Sequence, residues 1–197
     1  MLDKIIIIRH GETDFNKERV IQGQLDTFLN KNGVEQARKA AVKLKGEKID
    51  RIYTSDLKRA NHTALIIGEV LKARVIPTPL LRERYFGELQ GLRIETIKKT
   101  FWRFLNEVET SVSYGWFDKE FLIETDDEIE ARFKKFFDSV EVSGANKIVA
   151  VVTHGGFIRC LLKVFGFEKK TVFARHIQNA EIIILQKRGN EYLLIGK

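Results

Sequence analysis

Two histidines of this chain occupy the same kind of position, one residue after an apolar run and directly before a glycine. His10 follows residues 5–9, IIIIR, and His154 follows residues 147–153, KIVAVVT. Apolar runs without polar alternation are typical of strands buried on both faces of a parallel sheet. Ligands bind beyond the carboxyl ends of such strands, so the two imidazoles are predicted to converge on one ligand.

Two arginines and one glutamate could complete such a site. Arg9 precedes His10, and Arg59 falls in or near the first turn of a predicted helix, where backbone donors favour anions. Cations and imidazoles around one point suit a dianionic phosphoryl group, whose transfer depends on positioning and on spreading its charge. An imidazole can act as the nucleophile. Glu83 is the best candidate to protonate the leaving alcohol and then to accept a proton from water.

Each of these residues also has a plainer interpretation. Arg9 and His10 could be polar residues at the entrance to a loop, and Arg59 could form a surface ion pair with Asp56. Glu83 lies between two arginines and could belong to a salt-bridge cluster. The repeated arrangement of strand, histidine and glycine favours the catalytic interpretation of the histidines, whereas the alternatives for Arg59 and Glu83 stay open.

The elements that must position these residues alternate along the chain. Ser55 or Asp56 is predicted to cap the helix that carries Arg59, and Pro77 to end a short strand. We predict one α/β domain across residues 1–197, with a helical, cap-like subregion at about 90–140. In chain order, the other predicted elements are a loop over 14–28, a helix over 30–46, strands over 49–54 and 73–76, helices over 93–108, 126–140 and 157–165, and antiparallel edge strands over 180–186 and 191–195.

The composition is that of a globular protein. No apolar run approaches the ~20 residues that span a bilayer, and the first strand begins almost at the start of the chain, which predicts a cytoplasmic protein. Cys160 is the only cysteine, so no intrachain disulfide is expected. The four histidines have no metal-ligand spacing, so no metal site is expected either.

The charge balance indicates the class of partner. A net charge of +7 suits an anionic partner, which could be nucleic acid, an anionic membrane or a small phosphorylated molecule. Because basic residues are mixed with acidic ones and form no long block, we expect a small phosphorylated substrate, no nucleic acid and no membrane. The exposed edge of the final strand also permits a homodimer.

Four segments, in order along nearly the whole chain, resemble the histidine phosphatase superfamily, also called the phosphoglycerate mutase-like family. One such motif would be weak evidence, whereas four in register are strong. The matching segments are Arg9-His10-Gly11-Glu12-Thr13 with Asn16 and Gln22-Gly23, Ser55 to Ala60 with Thr63-Ala64, Leu81-Arg82-Glu83 with Gly87 and Gly91, and Thr153-His154-Gly155-Gly156.

This resemblance implies a three-layer α/β/α sandwich around a mostly parallel sheet. It implies that His10 is the phosphorylated nucleophile, that Glu83 is the proton donor, and that no metal or cofactor takes part. His62 and His176 match no catalytic position. The residues that the resemblance places against the phosphate or the rest of the substrate are Arg9, Arg59, His154, Asn16, Gln22, Gly23 and Gly155.

Departures from the family pattern favour hydrolysis. Phe86 and Ile94 stand where cofactor-dependent mutases carry a tyrosine and a lysine. Residues 122–125, LIET, replace the usual Gly-Gly-Glu-Ser, and Phe28 stands where a proline is common, so no substrate contact is assigned to either place. The expected function is metal-independent hydrolysis of small phosphomonoesters. The alternatives are a cofactor-dependent phosphoglycerate mutase and a non-catalytic phosphate-binding module.

Overall fold

The computed structural model describes residues 2–97, 99, 121–140, 148–167, 177–189 and 191–196. Two short 3-10 segments, Pro79–Leu81 and Gly87–Leu89, lie on either side of Glu83. The strands are β1 Lys4–Arg9, β2 Arg51–Ser55, β3 Arg74–Thr78, β4 Ile148–Thr153, β5 Ile182–Arg188 and β6 Glu191–Gly196. The helices are α1 Asp14–Lys17, α2 Lys31–Lys43, α3 Lys58–Leu71, α4 Asp126–Ser139 and α5 Gly155–Val164.

The six strands form one sheet in the order β3-β2-β4-β1-β5-β6. Strands β1 to β4 are parallel to one another, whereas β5 is antiparallel to both β1 and β6. The predicted mostly parallel sheet is therefore confirmed. The prediction that the last two strands are both edge strands is wrong for β5, because β1 pairs with its other side.

The isoleucine run of β1 forms the centre of the sheet. Ile5 and Ile7 pack into one apolar cluster and Ile6 and Ile8 into another, and all four are fully buried. The first cluster includes residues of α4 and α5, and the second includes residues of α2 and α3. Helices cover both faces of the sheet, which explains why β1 has no polar alternation and confirms the three-layer sandwich.

Local details differ from the predictions at several points. The predicted loop over 14–28 contains the short helix α1. Helix α3 begins at Lys58 with Leu57 in the N-cap position, and no side chain of its own segment caps it. Instead Asp26 accepts a hydrogen bond from the backbone N–H of Lys58 at 2.8 Å. Pro77 lies within β3 and does not end it, which an edge strand tolerates because one row of its backbone groups is unpaired.

The predicted cap-like subregion is described only at its two ends. Residues 94–97 are helical, as predicted for the start of the helix over 93–108, and α4 begins at Asp126 with Thr125 as its N-cap. Residues 100–120 lie outside the described residues, so the subregion and the single-domain organisation stay predictions. Among the described residues, no helix is long and apolar enough to cross a bilayer.

Candidate active site

The two histidines meet because β1 and β4 are paired in register. Arg9 lies opposite Thr153, so His10 and His154 leave the sheet side by side, and the backbone N–H of His10 donates to the Thr153 carbonyl at 2.9 Å. Their ring centroids are 5.1 Å apart. The two imidazoles therefore lie together, as predicted, and their convergence on one ligand stays a prediction.

His10 presents one ring nitrogen to the site. Its Nδ1 lies 2.7 Å from the carbonyl oxygen of Gly11, which can only accept, so Nδ1 carries the proton and Nε2 keeps its lone pair. Burial, followed by the positive charges of Arg59 and Arg9, holds the pKa of His10 well below its usual value of 6.5. The ring is neutral at neutral pH and is suited to nucleophilic attack.

His154 is the N-cap residue of α5 and is completely buried. Neither of its ring nitrogens has a hydrogen-bond partner among the described residues. Burial, then the charges of Arg59, His10 and Arg9, also keeps the pKa of His154 well below 6.5. A buried imidazole without partners loses hydrogen bonds that water would have supplied, which a bound polar ligand would restore.

Arg59 reaches into the core from the first turn of α3 and is 1% exposed. Its two terminal nitrogens donate to the carbonyl oxygens of Gly23 and Leu25, each at 2.7 Å, whereas its Nε has no partner among the described residues. Burial lowers the pKa of Arg59 to about 10, against the opposing effect of Glu83, so the side chain stays cationic at neutral pH.

Arg9 is held from the opposite side of the site. Its Nη1 donates to the carbonyl of Ile177 at 2.5 Å, and its buried Nε has no hydrogen-bond partner within the described part of the chain. Burial lowers the pKa of Arg9, and Glu83 is the strongest influence in the other direction. The charge of Glu83 therefore raises the pKa of both Arg9 and Arg59, which places Glu83 close to both cations.

Four buried side-chain nitrogens lack hydrogen-bond partners within the described residues, and all belong to predicted site residues. They are the Nε atoms of Arg9 and Arg59 and both ring nitrogens of His154. Buried polar groups in folded proteins are almost always paired, so a cluster of exceptions indicates a place that can bind a polar ligand. Cationic donors at this place fit a compact, multiply charged anion.

Glu83 is held at the N-terminus of α5. Its Oε1 accepts from the backbone N–H groups of Phe157 at 2.9 Å and Arg84 at 2.8 Å, and its Oε2 accepts from Gly156 at 3.0 Å. Oε2 thus accepts fewer hydrogen bonds than Oε1. A Cβ on Gly156 would lie 2.6 Å from Oε1, so the close approach requires glycine there.

The plainer interpretations of the charged residues are wrong. Asp56 forms a two-pronged ion pair with Arg82, at 2.7 and 2.6 Å, and not with Arg59. Arg84 pairs with Asp126. The two arginines that flank Glu83 are directed to other carboxylates, and backbone donors hold Glu83 instead.

The loop after β1 brings the predicted substrate-binding residues together. Thr13 Oγ1 lies within hydrogen-bond distance of Asn16 Oδ1 at 3.1 Å and Gln22 Oε1 at 3.0 Å. The carbonyl of Gly23 accepts from Arg59, and Gly155 is close enough that a Cβ there would lie 3.4 Å from Arg9 Nε. The structure thus places Gly23 and Gly155 beside the cationic cluster and joins Asn16 and Gln22 to each other through Thr13.

Three supporting residues were not predicted. Asn179 donates to the His10 carbonyl and to Asn16 Oδ1, each at 3.1 Å, and Thr63 accepts from the Gly11 backbone N–H at 3.0 Å. Gln24 Nε2 donates to the Glu83 carbonyl at 3.1 Å. Asn179 could have been found only by pairing β5 with β1, since nothing in its local sequence marks it.

Two positions that depart from the family pattern, Phe28 and Leu122, are exposed. Leu122 has a φ of 54°, in the left-handed region where glycine is favoured. Phe28 is 66% exposed, with Lys58 Nζ 4.7 Å from its ring centroid. His62 is exposed, and His176 lies outside the described residues. In the described ranges, no group of three or more His, Cys, Asp or Glu side chains could hold a metal ion.

A comparison with protein families agrees with this geometry. The sequence pattern of the histidine phosphatase superfamily, branch 1, matches residues 5–195. The chain belongs to this superfamily. The predicted family and enzyme class, a phosphoric monoester hydrolase, are thereby confirmed at the level of the family.

Individual relatives within the superfamily include phosphatases and mutase-like proteins. The chain is 31% identical to the metal-independent phosphoserine phosphatase of Arabidopsis thaliana, over 97% of this chain and 79% of that one. It is 35% identical to phosphoglycerate mutase-like protein 4 of the same plant, over 89% and 74%. Mycobacterial glucosyl-3-phosphoglycerate phosphatase, solved with VO3, superposes with a TM-score of 0.77 at 29% identity, covering 98% of both chains.

Proposed function

We propose that this protein is a metal-independent phosphatase that hydrolyses small phosphomonoesters through a phosphohistidine on His10, with Glu83 as proton donor. The observation that carries the proposal is the cluster of four unpaired buried nitrogens beside a neutral imidazole with a free Nε2. Membership of the superfamily supports the reaction class.

In the first step, the Nε2 lone pair of His10 attacks the phosphorus atom and the bond from phosphorus to the ester oxygen breaks. Glu83, protonated at Oε2, gives its proton to that oxygen, and the alcohol leaves. Arg9, Arg59 and His154 hold the phosphoryl oxygens and spread the charge that develops on them. The products are a phosphohistidine, the free alcohol and a Glu83 carboxylate.

In the second step, water attacks the phosphohistidine. Glu83 takes a proton from the water, the bond from phosphorus to Nε2 breaks, and its electron pair returns to the ring. Inorganic phosphate is released, and His10 and Glu83 regain their initial protonation states. Asn16 and the Gly155 amide assist in holding the phosphoryl group, while Gln22 and Gly23 lie near the rest of the substrate.

The superfamily relatives support a small phosphorylated substrate that is not a macromolecule. One relative is named a phosphoserine phosphatase and another a glucosyl-3-phosphoglycerate phosphatase. Both names describe an alkyl phosphomonoester, whose poor leaving group needs a proton donor such as Glu83.

A cofactor-dependent phosphoglycerate mutase is the second candidate. It is favoured by the 35% identity to a phosphoglycerate mutase-like protein and opposed by Phe86 and Ile94 at the positions of the mutase tyrosine and lysine. Its distinguishing property would be interconversion of phosphoglycerates that depends on added bisphosphoglycerate.

Phosphate release from a panel of phosphomonoesters, measured with a chelator present, tests the proposal. We expect turnover by the wild type, a loss of roughly 10⁴-fold or more in His10→Ala, and a phosphorylated protein that is trapped by alkaline quenching, in which a phosphohistidine survives, only when His10 is present. His62→Ala is the matched control, because it removes an exposed histidine from α3.

Four results would contradict the proposal. Turnover that the chelator abolishes would refute metal independence, and full activity of His10→Ala would refute the phosphohistidine. Interconversion of phosphoglycerates without net phosphate release would identify the mutase. Phosphate binding without turnover of any ester would favour the non-catalytic module.

A further inference from the structure

The acid side of the site depends on a residue that touches neither the phosphate pocket nor Glu83 itself. Arg132 lies on α4, and its side chain is 20% exposed. Its Nη1 donates to the carbonyl of Leu80 at 2.8 Å and to that of Arg82 at 3.2 Å. These carbonyls belong to the turn that carries Glu83, so one guanidinium holds that turn on its N-terminal side.

The same guanidinium is fixed by a second, nearly buried group. Arg132 Nε donates to Glu124 Oε1 at 2.6 Å and Nη2 to Glu124 Oε2 at 2.8 Å, and the Glu124 side chain is 12% exposed. Two parallel charge-assisted hydrogen bonds fix the plane of a guanidinium, which a single ion pair does not. Arg132 therefore has a defined orientation when it meets the turn.

Glu124 is itself joined to the residues after Glu83. Its backbone N–H donates to the Tyr85 carbonyl at 2.8 Å, and its Oε2 accepts from the Tyr85 N–H at 3.0 Å. Arg84 Nη1 donates to the Glu124 carbonyl at 2.8 Å. The Arg132–Glu124 pair thus contacts the chain on both sides of Glu83.

Arg132 also packs against the element that donates to the Glu83 carboxylate. Its guanidinium carbon lies 5.3 Å from the centroid of the fully buried Phe157 ring, and the backbone N–H of Phe157 donates to Glu83 Oε1 at 2.9 Å. A displacement of Arg132 would therefore move both the backbone that carries Glu83 and the helix end that orients its carboxylate.

We propose that Arg132, fixed by Glu124, is a positioning residue for Glu83. It orients the Glu83 carboxyl group towards the ester oxygen of the substrate. The proposal rests on the proposed function, in which Glu83 protonates the leaving alcohol. It predicts that replacing Arg132 slows the reaction more for substrates whose leaving group depends more strongly on that proton. An alkyl alcohol leaves poorly without a proton, whereas 4-nitrophenolate leaves readily without one.

The experiment measures phosphoenzyme formation in a rapid-quench apparatus for Arg132→Gln, with an alkyl phosphomonoester and with 4-nitrophenyl phosphate. We expect a slowing of roughly 10- to 100-fold for the alkyl ester, since a misplacement of about 1 Å can have an effect of that size. For 4-nitrophenyl phosphate we expect a change smaller than about threefold. Arg132→Lys should recover little, because one ammonium cannot make the same four hydrogen bonds.

Arg82→Gln is the matched control. Arg82 also forms a two-pronged ion pair, with Asp56, and it adjoins Glu83, but its side chain contacts neither a turn carbonyl nor Phe157 in the described hydrogen bonds and ring contacts. We expect its two rates to stay near wild type. If Arg132→Gln fails to fold, Glu124→Gln keeps the test available, because its amide oxygen still accepts one hydrogen bond from Arg132.

If Arg132→Gln slows the reaction of both esters equally, the positioning role is overturned and a general structural role is indicated. The same conclusion follows if Arg82→Gln loses activity on the alkyl ester as selectively, and by as much, as Arg132→Gln does. Unchanged rates for both esters would also overturn it. These outcomes are distinct from failure of the proposed function, which would appear as absence of a phosphoenzyme in the wild type.

Discussion

The two sides of this site are built in different ways. On the phosphate side, His10 and His154 follow two paired strands whose backbone register sets their relative position. On the acid side, Glu83 lies in an irregular turn between two 3-10 segments, held by the end of α5 and by side chains of α4. The phosphate side therefore takes its geometry from the sheet, and the acid side takes it from side-chain contacts.

This difference matches the demands of the two steps. The phosphoryl group is the same in every phosphomonoester, so its binding groups can be rigid. The leaving alcohol varies between substrates, and the turn that carries the acid is the part of the site that sequence changes can adjust without altering the sheet. We expect mutations on the two sides to have distinguishable kinetic signatures.

The largest of the expected effects comes from the phosphate side. Arg59→Gln should reduce kcat/KM by roughly 10² to 10³, because it removes a buried donor to the charge that develops in transfer. The loss should be similar for alkyl and aryl esters, since the phosphoryl group is common to both, and binding of vanadate should weaken in parallel. Arg38→Gln, which removes an exposed arginine paired with Glu35, is the control. A loss confined to alkyl esters would contradict the division between the two sides.

A pair of neighbouring glycines offers a smaller and sharper test. Gly156→Ala would place a Cβ 2.6 Å from Glu83 Oε1 and displace the acid, so we expect kcat for alkyl esters to fall by roughly 10- to 100-fold. Gly155→Ala would place its Cβ 3.4 Å from Arg9 Nε, an ordinary contact, so we expect at most a several-fold loss, mainly in KM. Steady-state kinetics of both variants check this. The reverse order of effects would show that Glu83 is not the constrained group.

The smallest expected effect concerns stability and pH. Burial first, and nearby cations second, hold the pKa of both His10 and His154 well below 6.5 in the folded protein. Below pH ~6.5 the unfolded chain binds protons that the folded chain does not, so folding stability should fall as pH decreases, by about 1 kcal/mol per pH unit for each histidine.

Urea unfolding between about pH 7.5 and 5.5 measures this slope. His154→Gln should make the slope shallower, because one of the two buried imidazoles is removed. His62→Ala should leave it unchanged, because that histidine is exposed. A free energy of unfolding that stays constant across this range would show that the buried histidines titrate in the folded protein as they do in the unfolded chain.

The sequence predicts the phosphate side better than the acid side for a physical reason. A run of four isoleucines buries all its side chains well only as a strand that is covered on both faces. That strand then fixes where the next residues must lie. Local sequence made Arg59 and Glu83 candidates but left an ion pair open for each, and the family resemblance then implied their roles. In the structure, Arg59 donates to the backbone carbonyls of Gly23 and Leu25, and Glu83 accepts from the backbone of α5. A pattern of side chains does not predict contacts with backbone groups.

The contributions of distant segments were harder still to predict. Arg132 is separated from Arg82 by 50 residues, and Asn179 from His10 by 169, so neither contact has a local signature. The same holds for Asp26, which accepts from the first backbone N–H of α3 in place of the predicted caps at residues 55 and 56. Such contacts follow from topology, and they become predictable only once the strand order is known.

The pairing of Arg9 with Thr153 also has a consequence for how this site can change over evolutionary time. Adjacent strands can shift only in whole residues, and a shift by one would turn every buried isoleucine of β1 towards the wrong layer. The relative position of the two imidazoles along the strands can therefore change only in steps of whole residues. Their separation across the sheet is set by the spacing of neighbouring strands. Substitutions that accumulate in the core will therefore lower the stability of the protein long before they move the two histidines apart.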